Sequence, residues 1–339
     1  MRLIERIWTG ESIRHRLLRR ALAPLETLYR SVMVVRGRLF DHGVIPVRAS
    51  PIGVVSVGNL TVGGTGKTPV SAWVAAQLAE MGRKPVIVLR GYGDDEPLVH
   101  ARLNPAIPVI VERERVKGIA AAAHMGADAA VLDDAFQHRS AQRDLDVVLI
   151  SADDWTEELH VLPAGPYREP PEGMRRASIV IVTAKAVSSE RIVEVERWAS
   201  SVAPGKPVAA MRLVLSGLVC ESPKGESLPL EALANRRVLA VAAVGNPGAF
   251  FQQIEALGAT VTPLAFADHH AFTAHDVRKI LSLATGADFV VCTLKDAVKL
   301  APIWPAGEPP LWYVSLSIEV ESGATALAEM LRRLPGRGG

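Results

Sequence analysis

From residue 52 to residue 184 the chain repeats one pattern, a short apolar run followed by a stretch with helical spacing. The runs are IGVVSV (52–57), KPVIVLRGYG (84–93), IPVIVER (107–113), ADAAVLDDAFQHR (127–139), LDVVLISADD (145–154) and ASIVIVTA (177–184). Between them, TPVSAWVAAQLAEMG (68–82) and GIAAAAHMG (118–126) read as helices that stop at glycine. Strands that are apolar on both faces must be covered on both faces, which means an α/β fold with a parallel sheet between helices. Aromatics are only 5% of the residues, so Ala, Val, Leu and Ile must fill that core.

A second α/β pattern begins at residue 236. RRVLAVAAV (236–244), ATVTPLAF (259–266), ADFVVCTLKD (287–296) and WYVSLSIEV (312–320) read as strands. NPGAFFQQIEALG (246–258), TAHDVRKILSLATG (273–286) and GATALAEMLRRL (323–334) read as helices. A chain of 339 residues is too long for one typical core, so two domains are expected. Residues 205–235, strand-like with turn residues between, read as a connector. The expected organisation is an N-terminal helical segment over 1–37, a phosphate-loop domain over 38–204, the connector over 205–235 and a smaller α/β domain over 236–339.

Charge is unevenly spread. The net charge is +2, yet residues 1–50 hold ten Arg, no Lys and four acids, which makes that segment +6 and the remainder −4. Residues 11–37 read as two short helices, with Pro24 in the first turn of the second. Leu18, Leu22, Leu25, Tyr29 and Val32 form one apolar stripe among arginines. Two readings follow: a helical hairpin packed on its own domain, or an interfacial anchor whose arginines meet lipid phosphates. Nucleic acid is not an expected partner, because no recognition-helix or aromatic-basic pattern follows. No signal peptide is evident and no stretch of about 18 residues reads as a membrane span. Cys220 and Cys292 are far apart and form no metal-type pair.

The chemistry centres on VGNLTVGGTGKTPV (57–70), which has Gly66-Lys67-Thr68 but Thr61 where a phosphate loop usually has its first glycine. Gly63 and Gly64 supply the freedom instead, with Thr65 between them and Gly66. A strand precedes the loop and a helix follows it, so the loop amides fall at a helix N-terminus, a ready site for phosphate. Lys67 would reach the β- and γ-phosphates, and Thr68 would help hold Mg²⁺. Asp133 and Asp134 end an apolar strand and could complete the Mg²⁺ site. Membrane-partitioning and metal-insertion ATPases carry an early lysine in this loop; here Val62 stands at that position.

GNLTVGGTGKTP, RGYG, DEP, DDAFQH, LPAGPYREP, VGNPGAFF, FADHHAFT and TLKDAVKL follow in that order from residue 58 to residue 300. This set resembles the tetraacyldisaccharide 4'-kinase family of lipid A biosynthesis, over nearly the whole chain. The resemblance implies ATP and Mg²⁺ as cofactors and a lipid A disaccharide precursor as phosphate acceptor. It also implies peripheral association with an anionic lipid surface, the cytoplasmic face of the bacterial inner membrane, and no obligate protein partner. Carried over, Thr61, Gly63, Gly64, Thr65, Gly66, Lys67 and Thr68 form the ATP loop, and Thr68, Asp133 and Asp134 hold the metal. Asp95 is the implied base and His269 its partner, with Asp134 and Lys67 also catalytic. Tyr92, Gln137, His138, Arg168 and Glu169 match substrate-binding positions. Arg168 and Glu169 could instead pair only with each other. The segment between Gly93 and the DEP motif is shorter than in the family, which leaves Asp94 beside Asp95 as base; alignment through Pro97 favours Asp95.

Overall fold

The computed structural model describes Trp8 and residues 12–91, 95–221 and 225–336. The chain divides into two compact units. The larger comprises residues 1–91, 100–213 and 318–339, and the smaller residues 92–99 and 214–317.

The larger unit opens with helix α1 (Ile13–Asp41), capped by the Ser12 hydroxyl. It is one helix rather than the expected two, and Pro24 lies inside it. An interior proline removes one hydrogen bond and costs about 3 kcal/mol. Polar contacts along one face of α1 offset that cost. Glu26 accepts from Val161 N (2.9 Å), Tyr29 Oη donates to Arg168 O (2.8 Å) and Arg36 donates to Gln137 O (3.0 Å). Phe40 is buried between the Arg36 and Arg139 guanidinium groups.

The strands then follow with their helices: β1 (Gly53–Asn59), α2 (Lys67–Glu80), β2 (Pro85–Leu89), α3 (Asp95–Leu103), β3 (Val109–Val111), α4 (Arg115–His124) and β4 (Ala129–Asp133). Of α3, residues 95–99 fall in the smaller unit and 100–103 in the larger. After them come β5 (Leu145–Ser151), β6 (Ile179–Ala184), α5 (Ser189–Val202) and β7 (Val208–Cys220). In this unit the strand order is β7-β6-β5-β1-β4-β2-β3, and the pairings are parallel. Every residue of β1, β2, β4, β5 and β6 is buried, the physical counterpart of their unbroken apolar runs. One face packs Val70, Val74 and Leu78 of α2, and the other packs Ile192, Val195 and Ala199 of α5.

The smaller unit holds β8 (Ser227–Leu228), β9 (Arg237–Ala242), α6 (Pro247–Ala256), β10 (Thr260–Ala265), α7 (Ala274–Leu283), β11 (Phe289–Thr293) and α8 (Leu294–Leu300). With β12 (Leu311–Ser322) its parallel order is β10-β9-β11-β12. The core is Val238, Ala240, Ile254, Val291, Trp312 and neighbours. The TLKD segment, expected to finish a strand, turns into α8 at Leu294, because the Thr293 hydroxyl caps the helix through Asp296 N. Long strands β7 and β12 each belong partly to one unit and partly to the other. After β12, α9 (Ala324–Arg332) returns to the larger unit, where Leu327 and Leu331 join its core.

Candidate active site

In the larger unit, β1 runs into the 61–68 loop and α2 begins at Lys67, with Gly66 as its N-cap in the left-handed region (φ +81°). Gly63 also has positive φ (+128°), a conformation open to glycine at little cost. Three successive loop carbonyls are each held by a different side chain. Lys67 Nζ donates to Gly63 O (3.2 Å), Lys185 Nζ to Gly64 O (2.8 Å) and the Thr183 hydroxyl to Thr65 O (3.0 Å). Buried Asn59 donates to the Thr65 hydroxyl (2.7 Å). Thr68 is half-buried in the first turn of α2.

Arg168 is the hub of this unit's site. Its Nη1 donates to Asp134 Oδ1 (3.0 Å) and to Gln137 Oε1 (3.3 Å), its Nη2 to Asn59 Oδ1 (3.1 Å) and its Nε to Thr61 O (3.1 Å). The backbone continues the seam, with Val62 N donating to Pro166 O (2.8 Å). LPAGPYREP is thereby laced along the phosphate loop. Arg168 and Glu169 do not pair with each other: Glu169 takes Arg176 (2.6 Å) and accepts from Gln137 Nε2 (2.9 Å). Asp134 sits at φ +48°.

Asp133 is deeper, at 4% exposure. The Ser71 hydroxyl donates to its Oδ1 (3.0 Å), and His100 Nε2 lies 2.8 Å from its Oδ2. Burial alone would push the Asp133 carboxyl up. The His100 hydrogen bond and charge, then Lys67 and Ser71, outweigh it and hold the carboxyl below its usual range. A carboxylate only accepts, so His100 Nε2 is the donor, while its Nδ1 is a buried atom without a hydrogen-bond partner. His138 is half-buried, and burial first, then Arg115 and Arg90, lower its pKa.

The smaller unit carries the other predicted pair. Asp95, 4% exposed, begins α3, and its Oδ2 lies 3.6 Å from His269 Nδ1. That is an ion-pair distance, longer than a hydrogen bond. His269 is at φ +56°. Its neighbour His270 is occupied elsewhere, stacked on Phe266 and bonded to Asp276 (3.1 Å) in the α7 capping box. Tyr92 and Asp94 lie outside the described residues. Sequence reasoning missed Asn59, Ser71, His100, Arg176 and Lys185. Asn59 was inside a quoted motif, and Arg176 lies only seven residues past its partner Glu169; Ser71, His100 and Lys185 have partners too distant in sequence to leave a local signal.

The donors present are oxygen atoms: two carboxylates and a helix-start hydroxyl. Such a set suits Mg²⁺ rather than a softer metal. Among the described residues no group of three or more His, Cys, Asp or Glu is arranged to hold a metal.

Fold and loop together define the class, an α/β protein with a phosphate-binding loop at the carboxyl ends of parallel strands. The comparisons with known proteins narrow it. The family described as tetraacyldisaccharide-1-P 4'-kinase matches residues 18–334. A tetraacyldisaccharide 4'-kinase of Anaeromyxobacter dehalogenans is 38% identical, over 91% of this chain and 89% of its own. A second, from another Anaeromyxobacter, is 37% identical over 100% and 98%. The crystal structure of LpxK from Aquifex aeolicus in complex with ATP is similar, with TM-score 0.75 and 28% identity over 94% of this chain and 99% of that one. The chain belongs to the tetraacyldisaccharide 4'-kinase family and is a kinase.

Proposed function

We propose that the protein transfers the γ-phosphoryl group of ATP to the 4'-hydroxyl of the tetraacyldisaccharide 1-phosphate precursor of lipid A. The observation that carries this reading is the lacing of Asn59, Arg168, Asp134 and Gln137 along a glycine loop whose carbonyls are held by side chains. Loop amides other than those of Val62 and Thr65 then serve the phosphate oxygens. Lys67 exchanges Gly63 O for the phosphates, and Thr68, Asp133 and Asp134 would hold Mg²⁺. When bound, that ion neutralises charge on the transferring group. Arg168 keeps Asp134 in place and adds positive charge beside the loop.

A sugar hydroxyl needs a proton acceptor, and Asp95 fills that role. His269, at 3.6 Å, orients the Asp95 carboxylate and shares the proton. Gln137, His138, Glu169 and Tyr92 bind the acceptor. Helix α1 meets the membrane. No helix among the described residues is long and apolar enough to cross a bilayer. The outward row of Leu17, Leu25, Leu28, Val32, Val35 and Leu39 is exposed, flanked by Arg16, Arg20 and Arg38. An apolar row beside arginines suits an anionic lipid surface, here the cytoplasmic face of the inner membrane.

The test is transfer of label from γ-labelled ATP to the tetraacylated disaccharide 1-phosphate in micelles with Mg²⁺. Lys67→Ala should abolish labelling. Asp95→Ala and His269→Ala should reduce transfer far more than ATP binding. Absence of lipid labelling despite tight ATP binding by the unaltered protein would overturn the reading.

A further inference from the structure

Lys185 follows the last residue of β6 and is exposed, yet it is fixed at both ends. Its backbone N–H donates to Asp153 Oδ2 (2.8 Å), and the next N–H, of Ala186, donates to Asp153 Oδ1 (2.9 Å). Its ammonium reaches Gly64 O, 121 residues earlier (2.8 Å). An exposed lysine has up to about 2 kcal/mol of rotamer entropy to lose. Here one side-chain carboxylate anchors its base and a phosphate-loop carbonyl its tip. Between those anchors, the four-carbon stem bridges from the β6 end to the loop.

The strand order gives the bridge a direction. β4, with Asp133 and Asp134, flanks β1 on one side; β5 and then β6 flank it on the other. Under the kinase reading, on which this inference rests, the transferable phosphate lies at the acids. The rest of the nucleotide then extends over the carboxyl ends of β5 and β6, where ligands of such sheets bind. We infer that Lys185 is a nucleoside-binding residue: its ammonium fixes the phosphate loop through Gly64 O, and its stem forms one wall of the nucleoside subsite.

Two substitutions separate the roles. Lys185→Met keeps a stem and loses the ammonium; Lys185→Ala loses both. Binding of ATP and of inorganic tripolyphosphate to the full chain is measured by titration calorimetry. Loss of the loop tether weakens both ligands alike, so the ratio of the two affinities isolates the nucleoside. Lys185→Ala should lower the preference for ATP over tripolyphosphate roughly tenfold, the effect of uncovering on the order of 50–60 Å² of apolar surface. Lys185→Met should stay within about twofold of the unaltered protein, because its stem keeps the wall. An unchanged ratio in Lys185→Ala, with ATP still bound by the unaltered protein, overturns this assignment alone. Failure of the unaltered protein to bind ATP overturns the kinase reading and the assignment with it.

Discussion

His100→Leu is the sharpest test of how the carboxylate of Asp133 is held. The His100 and Asp133 side chains are 0% and 5% exposed, and their hydrogen bond is 2.8 Å long. A hydrogen bond to a charged group contributes about 1.5–3 kcal/mol. Removing the donor from a buried carboxylate adds the cost of a charge left with fewer partners, about 3–5 kcal/mol in the extreme. Here Ser71 still serves the other oxygen, and leucine fills most of the imidazole's space without an orphaned nitrogen. A loss of about 3 kcal/mol is therefore expected, or a fall in melting temperature of roughly 6–12 °C for a unit of this size.

Scanning calorimetry reads that loss, and a double-mutant cycle with Asp133→Asn assigns it. The cycle should return a coupling of about 1.5–3 kcal/mol, because each single change already breaks the charged bond. Additivity within about 0.5 kcal/mol would refute the reasoning, since two independent sites add to that tolerance. The variant should also need more Mg²⁺ for half-maximal nucleotide binding, a readout that overall destabilisation does not move.

Three further outcomes are expected. A methyl group on Gly58 would lie 2.6 Å from Phe136 N and 2.7 Å from Phe136 Cβ, so Gly58→Ala should displace the turn after Asp134. It should cost about 1–3 kcal/mol in a melting experiment and slow transfer; a normal melt with normal transfer would contradict this. Hydrogen bonding from Thr273, chiefly its hydroxyl, holds the Asp276 carboxyl down from 3.8 to about 2. A depressed carboxyl stabilises above its unfolded pKa, so the contribution should be complete at neutral pH and disappear as pH falls from about 4 to about 2. Comparing Asp276→Ala with the unaltered protein across that range checks it, and a stability gap that persisted at the acid end would refute it. Leu28 and Val32 are 62% and 55% exposed, so Leu28→Asp with Val32→Asp should leave the fold intact. The pair should strongly reduce co-sedimentation with anionic vesicles, and unchanged sedimentation would remove the anchor role.

The sheet was legible because its strands are buried on both faces and so cannot hide a polar residue without showing it. β1 and β5 appear within a few residues of their expected limits for that reason. Helix α3 was not legible: DEPLVHARL mixes acids, a proline and a histidine in one short segment, and only the acids drew attention. His100 was lost with it, because its partner lies 33 residues away.

The first helix shows a subtler failure. The expected stripe ran through Leu18, Leu22, Leu25, Tyr29 and Val32, but Leu22 and Tyr29 are half-buried whereas Leu18, Leu25 and Val32 are exposed. The inward face instead carries Arg19, Glu26, Arg36 and Phe40, because the 158–168 segment and Gln137 offer carbonyls, amides and a carboxylate. Polar partners distant in sequence turned the helix; apolar spacing alone could not disclose them.

Backbone conformation adds one argument that neither motifs nor spacing supply. Among the described residues, three non-glycine residues have positive φ: Asp134, Asn235 and His269. Asn, Asp and His tolerate that region better than most residues, but it still costs free energy that the surroundings must offset. Asn235 sits at a turn, where its N–H donates to Gly258 O (2.9 Å), an ordinary use. The other two were marked from sequence as reacting groups. At Asp134 the left-handed turn comes directly after β4, and the carboxylate it presents meets Arg168 rather than the buried donors that serve Asp133. Adjacent carboxylates are thereby split into one nearly buried and one more open, with side chains 5% and 31% exposed. At His269 the same conformation accompanies an exposed ring beside Asp95, while His270 turns into the α7 cap. In both pairs the strained residue is the more accessible one, and its neighbour is held by partners of its own: Asp133 by Ser71 and His100, His270 by Asp276. That division is what a catalytic assignment requires of a doublet, and it favours Asp134 and His269 over their neighbours as the groups that meet substrate.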